Sequence, residues 1–326
     1  MKQKIIIAIA IVVAVGALLL LINNLGGKET EENLQEVSVR LKWLDQAQFA
    51  GYYVANSKGY YQDNNLKVAI NPGGPNISPV QMVVNGTDDF GITSGNQIIL
   101  AREQGIPVVA IAVIYQKSPI AIISLKEKNI IEPQDLVDKK VGIVYSDDDE
   151  IIFKALLDKE GLSNSNIDTE AKTFDLSQLK TGRTDAEVVY ENNEPYLLNK
   201  DGLATNLIKP RDYGINFYGD TIFTTEKIIS ENPELVKKFI NATIKGWIYA
   251  IENPEYAVDE TVKINTSLDR DHQLEFLKSS IPLIKTSKIG SSSDEEWHNM
   301  LQTLIRQGLV EKVNSTKDIY NNAFLE

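Results

Sequence analysis

"WLDQAQFAGYYVANSKGYYQDNNLKVAINPGG", residues 43–74, decides the fold. It begins at the end of "VSVRLKWL", where Val37, Val39, Leu41 and Trp43 share one face with the period of a strand. "FAGYYVANSK" then reads as a helix, with Gly59 placed to stop it in a left-handed turn. "LKVAIN" returns to a strand pattern, and in "NPGGPN" the glycines Gly73 and Gly74 allow a tight turn or a close approach of backbone to a ligand, with Asn76 beside them. A strand, a helix, a strand and a glycine loop make one unit of an α/β fold. The segment also packs five aromatic rings and three glutamines between Asp45 and Leu66, in a chain with only 3 Trp, 13 Tyr and 9 Phe.

Downstream the pattern repeats. Ser78 and Pro79 give a capping hydroxyl and a proline at the first helical position, and Gly86 ends that helix. "TDDFGIT" is a strand, Ser94 is placed to cap the helix that Gly105 ends, and "IPVVAIAVIYQ" is apolar enough for burial on both faces. A second unit begins near Ile120 with "KKVGIVY", "EIIFKALLDKEG" and "DAEVVY", and long helices follow "GINFYGDTIFTT". The expected fold class is α/β with mostly parallel sheets in two lobes. Residues 37–118 and 220–326 form the first lobe and 119–219 the second, with crossings near Ser118 to Ile120 and Phe217 to Asp220. Ligands of open α/β sheets sit at the carboxyl ends of strands, so the cleft between the lobes is the expected site.

Bulk properties exclude several functions. A net charge of −12 and a pI near 4.9 leave no basic stripe for phosphates, so nucleic acid is not a partner. The chain has no cysteine, which removes thiol nucleophiles, disulfides, cysteine metal sites and a lipidated N-terminal cysteine. Its two histidines, His272 and His298, lie in polar helical stretches and read as surface residues. No cofactor or metal is expected. Two lysines precede Ile5–Ile22, 18 residues without a charged or polar side chain, and no A-x-A site follows. Residues 1–25 therefore read as a membrane anchor, an uncleaved transmembrane helix with its lysine end in the cytoplasm, with a cleaved signal peptide as the alternative, and residues 26–36 as a linker to an extracytoplasmic body.

The linked segments "WLDQAQFAGYYVANSKGYYQDNNLKVAINPGG", "VVNGTDDFGITSGNQIILAREQGIPVVAIAVIYQKSP", "IIEPQDLVDKKVGIV" and "NPELVKKFINATIKGWIYAIENPEYAV" resemble, in order and spacing, the substrate-binding proteins of ABC importers. The resemblance is to the branch that binds thiamine-precursor pyrimidines, riboflavin, sulfonates and nitrate, and that includes a related pyrimidine synthase. It implies a type II periplasmic-binding-protein fold, a small-molecule ligand trapped between lobes, and permease and ATPase subunits as partners. Candidate ligand contacts are Trp43, Gln46, Gln48, Phe49 and Tyr52 at the first turn, then Gly73, Gly74 and Asn76. Ser94 and Asn96 lie at a helix start, and Tyr115, Gln116 and Ser118 at the crossing. From the second lobe come Ser146, Asn193 and Glu194, with Glu194 at the position where the pyrimidine-binding relatives are expected to meet their ligand with a glutamate.

Asp147 to Glu150 read as acids complementing a helix N-terminus. The candidate loops hold Asp45, this run, Glu191 and Glu194 against only Lys117, which disfavours an anionic ligand. Rings, amides and carboxylates suit a neutral or weakly basic heteroaromatic such as a thiamine-type pyrimidine or a flavin. The alternatives are a sulfonate or nitrate binder, a membrane-tethered sensor, and an enzyme like the synthase. The synthase's cysteine-rich iron motif has no counterpart here.

Overall fold

The computed structural model describes residues 34–313 and 315–325. The proposed transmembrane helix of residues 1–25 lies outside the described residues, as does most of the linker; among the described residues no helix is long and apolar enough to cross a membrane.

Among the described residues, ten strands sort into two five-stranded sheets. In the first lobe these are β1 (Gln35–Arg40), β2 (Leu66–Asn71), β3 (Phe90–Ser94), β4 (Val108–Val113) and β10 (Asp220–Thr225), in the order β2-β1-β3-β10-β4. The second holds β5 (Ile120–Leu125), β6 (Lys140–Ile143), β7 (Asp168–Ala171), β8 (Ala186–Tyr190) and β9 (Thr205–Ile208), in the order β7-β6-β8-β5-β9. The helices are α1 (Ala50–Ser57), α2 (Pro79–Val84), α3 (Gly95–Glu103), α4 (Asp148–Lys159), α5 (Ser177–Lys180) and α6 (Glu194–Lys200). After β10 come α7 (Glu226–Glu231), α8 (Pro233–Glu252), α9 (Pro254–Ile264), α10 (Arg270–Ile284) and α11 (Asp294–Arg306).

The sheets are mixed rather than mostly parallel. β10 runs antiparallel to both β3 and β4, and β5 antiparallel to both β8 and β9. Each is the strand its sheet receives straight from the opposite lobe, without an intervening crossover helix to restore the direction. The two crossing segments bond to each other: Ser118 N–H donates to the Phe217 carbonyl at 2.7 Å and Gly219 N–H to the Tyr115 carbonyl at 2.9 Å. This paired ribbon joins the two lobes.

Apolar periodicity explains the outer helices. α8 buries Leu235, Val236, Phe239, Ile240 and Trp247 on the first lobe, and Phe239 stacks on Phe90 at 4.1 Å. α1 differs, because Ala50 to Ala55 are all buried between the sheet and α8. Phe49, Tyr52 and Tyr115 accordingly belong to the core and not to the cleft, with Tyr52 and Tyr115 edge-on to Trp247. Over Ala50 to Ala55 the helix has no wet face, so neither Tyr52 nor Tyr53 is free to line a cleft. Tyr53 gives its hydroxyl proton to Asp45 at 2.7 Å.

Candidate functional site

After β1 the chain turns against the glycine loop. Gly73 N–H donates to the Trp43 carbonyl at 2.8 Å, and a Cβ at Gly73 would lie 2.3 Å from the Leu41 carbonyl oxygen. Only glycine permits that approach, which holds Lys42 and Trp43 at the top of the sheet. They face a cavity of about 620 Å³ between the lobes, within the range that holds a small organic ligand. Trp43, Gln46, Gln48, Gly74 and Asn76 line it from the first lobe, and Ser146, Asn193 and Glu194 from the second. Across its mouth the Trp43 and Phe174 rings touch, with centroids 5.2 Å apart and planes tilted by 52°.

The remaining sequence candidates lie elsewhere. Gln116 spends its amide on the Val113 and Ser291 carbonyls, and Ser118 bonds within the crossing ribbon. Gly73 sits beneath Trp43. Ser94 occupies the N-cap position of α3 without capping it, because its hydroxyl meets Asp148 instead, and Asn96 donates to the same carboxylate at 2.8 Å.

The glutamines form a relay into the floor. Gln46 Nε2 donates to Gln48 Oε1 at 2.7 Å, and Gln48 Nε2 donates to both oxygens of buried Asp220, at 3.0 and 2.8 Å. Burial pushes the Asp220 carboxyl up to about 6, with Lys42 and Gln48 pulling it back and Asp148 adding to the rise. The folded protein thus binds this proton more tightly than the unfolded chain, whose Asp titrates near 4. Stability from this group is greatest below about pH 4 and is lost as the pH rises through 6. Asp220→Asn should therefore stabilise the protein at pH 7 by about 1–3 kcal/mol and change little at about pH 3. Urea unfolding at both pH values checks this, and an equal effect at both would contradict it.

In the second lobe three of the four acids do what a helix start asks of them. Asp147 accepts from Asp148 N–H, Glu150 from Ser146 N–H, and Asp149 from Val144 N–H while pairing with Lys172 at 3.1 Å. Burial, with the neighbouring Asp148 charge, pushes Asp147 up to about 6. Asp148 alone crosses to the first lobe, where it pairs with Lys42 at 2.9 Å.

Glu194 begins α6 and accepts one backbone bond, from Tyr190 N–H at 3.0 Å. Desolvation pushes its carboxyl up and Lys172 pulls it back. Beside it, Asn193 Oδ1 lies 2.8 Å from His272 Nε2, and Tyr196 stacks on the same imidazole at 5.2 Å. His272 is thus half-buried between α6 and α10 and not a plain surface residue, while His298 is exposed.

Sequence reasoning missed Lys42, Lys172 and Phe174. Lys117, the one cation expected at the cleft, is exposed and does not line it. Lys42 falls on the opposite face of the strand pattern from Leu41 and Trp43, so the alternation sends it to solvent. Its position one residue before the first-lobe turn was the signal available.

Residues 46–257 match the model of the NMT1/THI5 like family. The chain is 26% identical over 308 residues to the riboflavin-binding protein RibY of Chloroflexus aurantiacus, covering 90% of this chain and 87% of that one. It is 26% identical over 302 residues to a formylaminopyrimidine-binding protein of Halalkalibacterium halodurans, covering 90% and 91%. It is also 24% identical over 299 residues, covering 89% and 92%, to a Legionella pneumophila protein named 4-amino-5-hydroxymethyl-2-methylpyrimidine phosphate synthase. Among solved structures, the periplasmic aliphatic sulphonate binding protein SsuA of Escherichia coli superposes with a TM-score of 0.73 at 16% identity, over 90% of this chain and 94% of that one. That likeness shows the two-lobed periplasmic-binding-protein fold.

Proposed function

Because the chain belongs to the NMT1/THI5-like family, we propose that it is the solute-binding subunit of an ABC importer, capturing a small neutral or weakly basic heteroaromatic in its inter-lobe cleft. The observation that carries this reading is Glu194, a desolvated carboxylate on the cavity wall with one backbone donor. It has acceptor capacity left for a ligand amine, and the half-buried Trp43 ring lines the same cavity. Four carboxylates, of Asp147, Asp148, Asp149 and Glu194, line the cavity with two lysines, Lys42 and Lys172. Both lysines already hold carboxylates, which leaves an anionic ligand no free partner among them.

Two relatives named for binding an aminopyrimidine and riboflavin support this ligand class. A synthase reading is weaker, since the chain has no cysteine and neither histidine lines the cavity. The apolar run Ile5–Ile22 supports an extracytoplasmic body tethered to the membrane.

The test is a calorimetric titration of the full chain with formylaminopyrimidine, riboflavin and an alkanesulfonate. Saturable binding of a neutral ring, with no heat from the sulfonate, is expected. Binding of the sulfonate alone would overturn the reading.

A further inference from the structure

We propose that the first lobe carries a small-oxyanion site, built from Lys42, Ser94, Asn96 and Gln97, which the protein's own Asp148 carboxylate fills, so that Asp148 decides which ligand charge the cleft accepts. The inference deepens the cleft reading above and rests on it.

The site is complete on one lobe and its occupant comes from the other. Lys42 Nζ lies 2.9 Å from Asp148 Oδ2, and the Ser94 hydroxyl donates to the same oxygen. Asp148 Oδ1 accepts from Asn96 Nδ2 at 2.8 Å and from Gln97 Nε2 at 3.0 Å. Each carboxylate oxygen therefore has two donors, all four from residues of the first lobe. Four donors match the acceptor sites of a carboxylate's two oxygens.

Two features point to an anion site and not to a chance surface pair. A serine at the N-cap ordinarily bonds its own helix, yet Ser94 makes no capping bond and turns to the carboxylate. Asn96 is fully buried, and among the described residues its Oδ1 has no partner while its Nδ2 is aimed at Asp148. Leaving such an oxygen unmet destabilises the fold, so the donor is held in place against an opposing cost.

The charges agree. Burial pulls Lys42 down, but Asp148, with Tyr190, Asp220 and Asp147 behind it, holds it well above the ordinary lysine value. Burial likewise raises Asp148, and Lys42, Ser94 and Gln97 more than reverse that. Lysine and carboxylate therefore stay charged together in the closed cleft. A ligand bearing an anionic group at this point must displace Asp148, while a neutral ring leaves it in place. Without the carboxylate, Lys42 and its neighbours are free to take an anion from solution.

The experiment titrates sulfate and acetate, at constant ionic strength, into the full-length parent, Asp148→Ala, and Asp148→Ala combined with Lys42→Gln. Circular dichroism and cooperative melting confirm folding. Asp148→Ala should bind sulfate or acetate at least tenfold more tightly than the parent, and adding Lys42→Gln should abolish the gain. Asp148→Ser, which withdraws the carboxylate from the donors and keeps a hydroxyl at the helix start, carries the same criterion where Asp148→Ala does not fold. A folded variant that binds neither anion more tightly than the parent overturns the proposal and leaves Asp148 as a contact between lobes. A parallel titration with formylaminopyrimidine and riboflavin separates the two readings. Ring binding without an anion gain removes this inference alone, whereas an anion gain without ring binding removes the heteroaromatic reading alone.

Discussion

Gly246→Ala is expected to lower the melting temperature by on the order of 10 °C, or to prevent folding. A Cβ at Gly246 would lie 2.2 Å from the Gly51 carbonyl oxygen and 2.7 Å from Ala55 Cβ. On the facing helix, a Cβ at Gly51 would lie 2.3 Å from the Trp247 ring. α8 and α1 therefore cross with their backbones in contact, and the atoms that would have to give way are main chain and a fully buried indole. Overpacking a core usually costs 1–3 kcal/mol. Here two helices must separate by about an ångström, so about 3–5 kcal/mol is the expected cost, a large part of the 5–15 kcal/mol that holds a typical domain folded. Gly86→Ala is the control, since nothing lies within 4 Å of its Cβ and only its φ of +73° resists substitution; that costs about 1 kcal/mol. Thermal unfolding followed by circular dichroism ranks the variants. A Gly246→Ala protein that melts with the parent would contradict the packing described. The crossing also matters to the site, because α1 continues directly from the turn that carries Gln46 and Gln48.

Much of the architecture was legible because strand, helix and turn signals are local. Ser78 caps α2 through its hydroxyl and Pro79 sits at the first helical position, as their chemistry dictates. Gly59, Gly86 and Gly105 follow their helices with positive φ. Contacts set by docking were not legible. Helical spacing assumes a wet face along the whole helix, and Ala50 to Ala55 of α1 have none, so the pattern assigns Tyr52 to the cleft although it packs on Trp247. Lys42 and Asp148 lie 106 residues apart on different lobes, and nothing in either neighbourhood signals the other. The acidic run behaves as its helix start requires in three of four residues, and the fourth answers to the opposite lobe. Ser94 shows the same limit, since its cap position was readable while its partner was not. The reversed strands β5 and β10 follow from the crossings themselves, whose effect on strand direction the local sequence pattern does not carry.

The central claim is that a neutral heteroaromatic binds between the first-lobe ring of Trp43 and the second-lobe carboxylate of Glu194. Both residues line one cavity. A hydrogen bond from a ligand amine to a desolvated carboxylate is worth about 1.5–3 kcal/mol, and a stacked ring a comparable amount. The measurement that tests this most directly is calorimetric titration of the parent, Glu194→Gln and Trp43→Ala with whichever of formylaminopyrimidine or riboflavin the parent binds. Glu194→Gln should bind about 10- to 100-fold more weakly, and Trp43→Ala at least tenfold more weakly, with unchanged circular dichroism. Two folded variants that bind the ring as tightly as the parent would contradict the account.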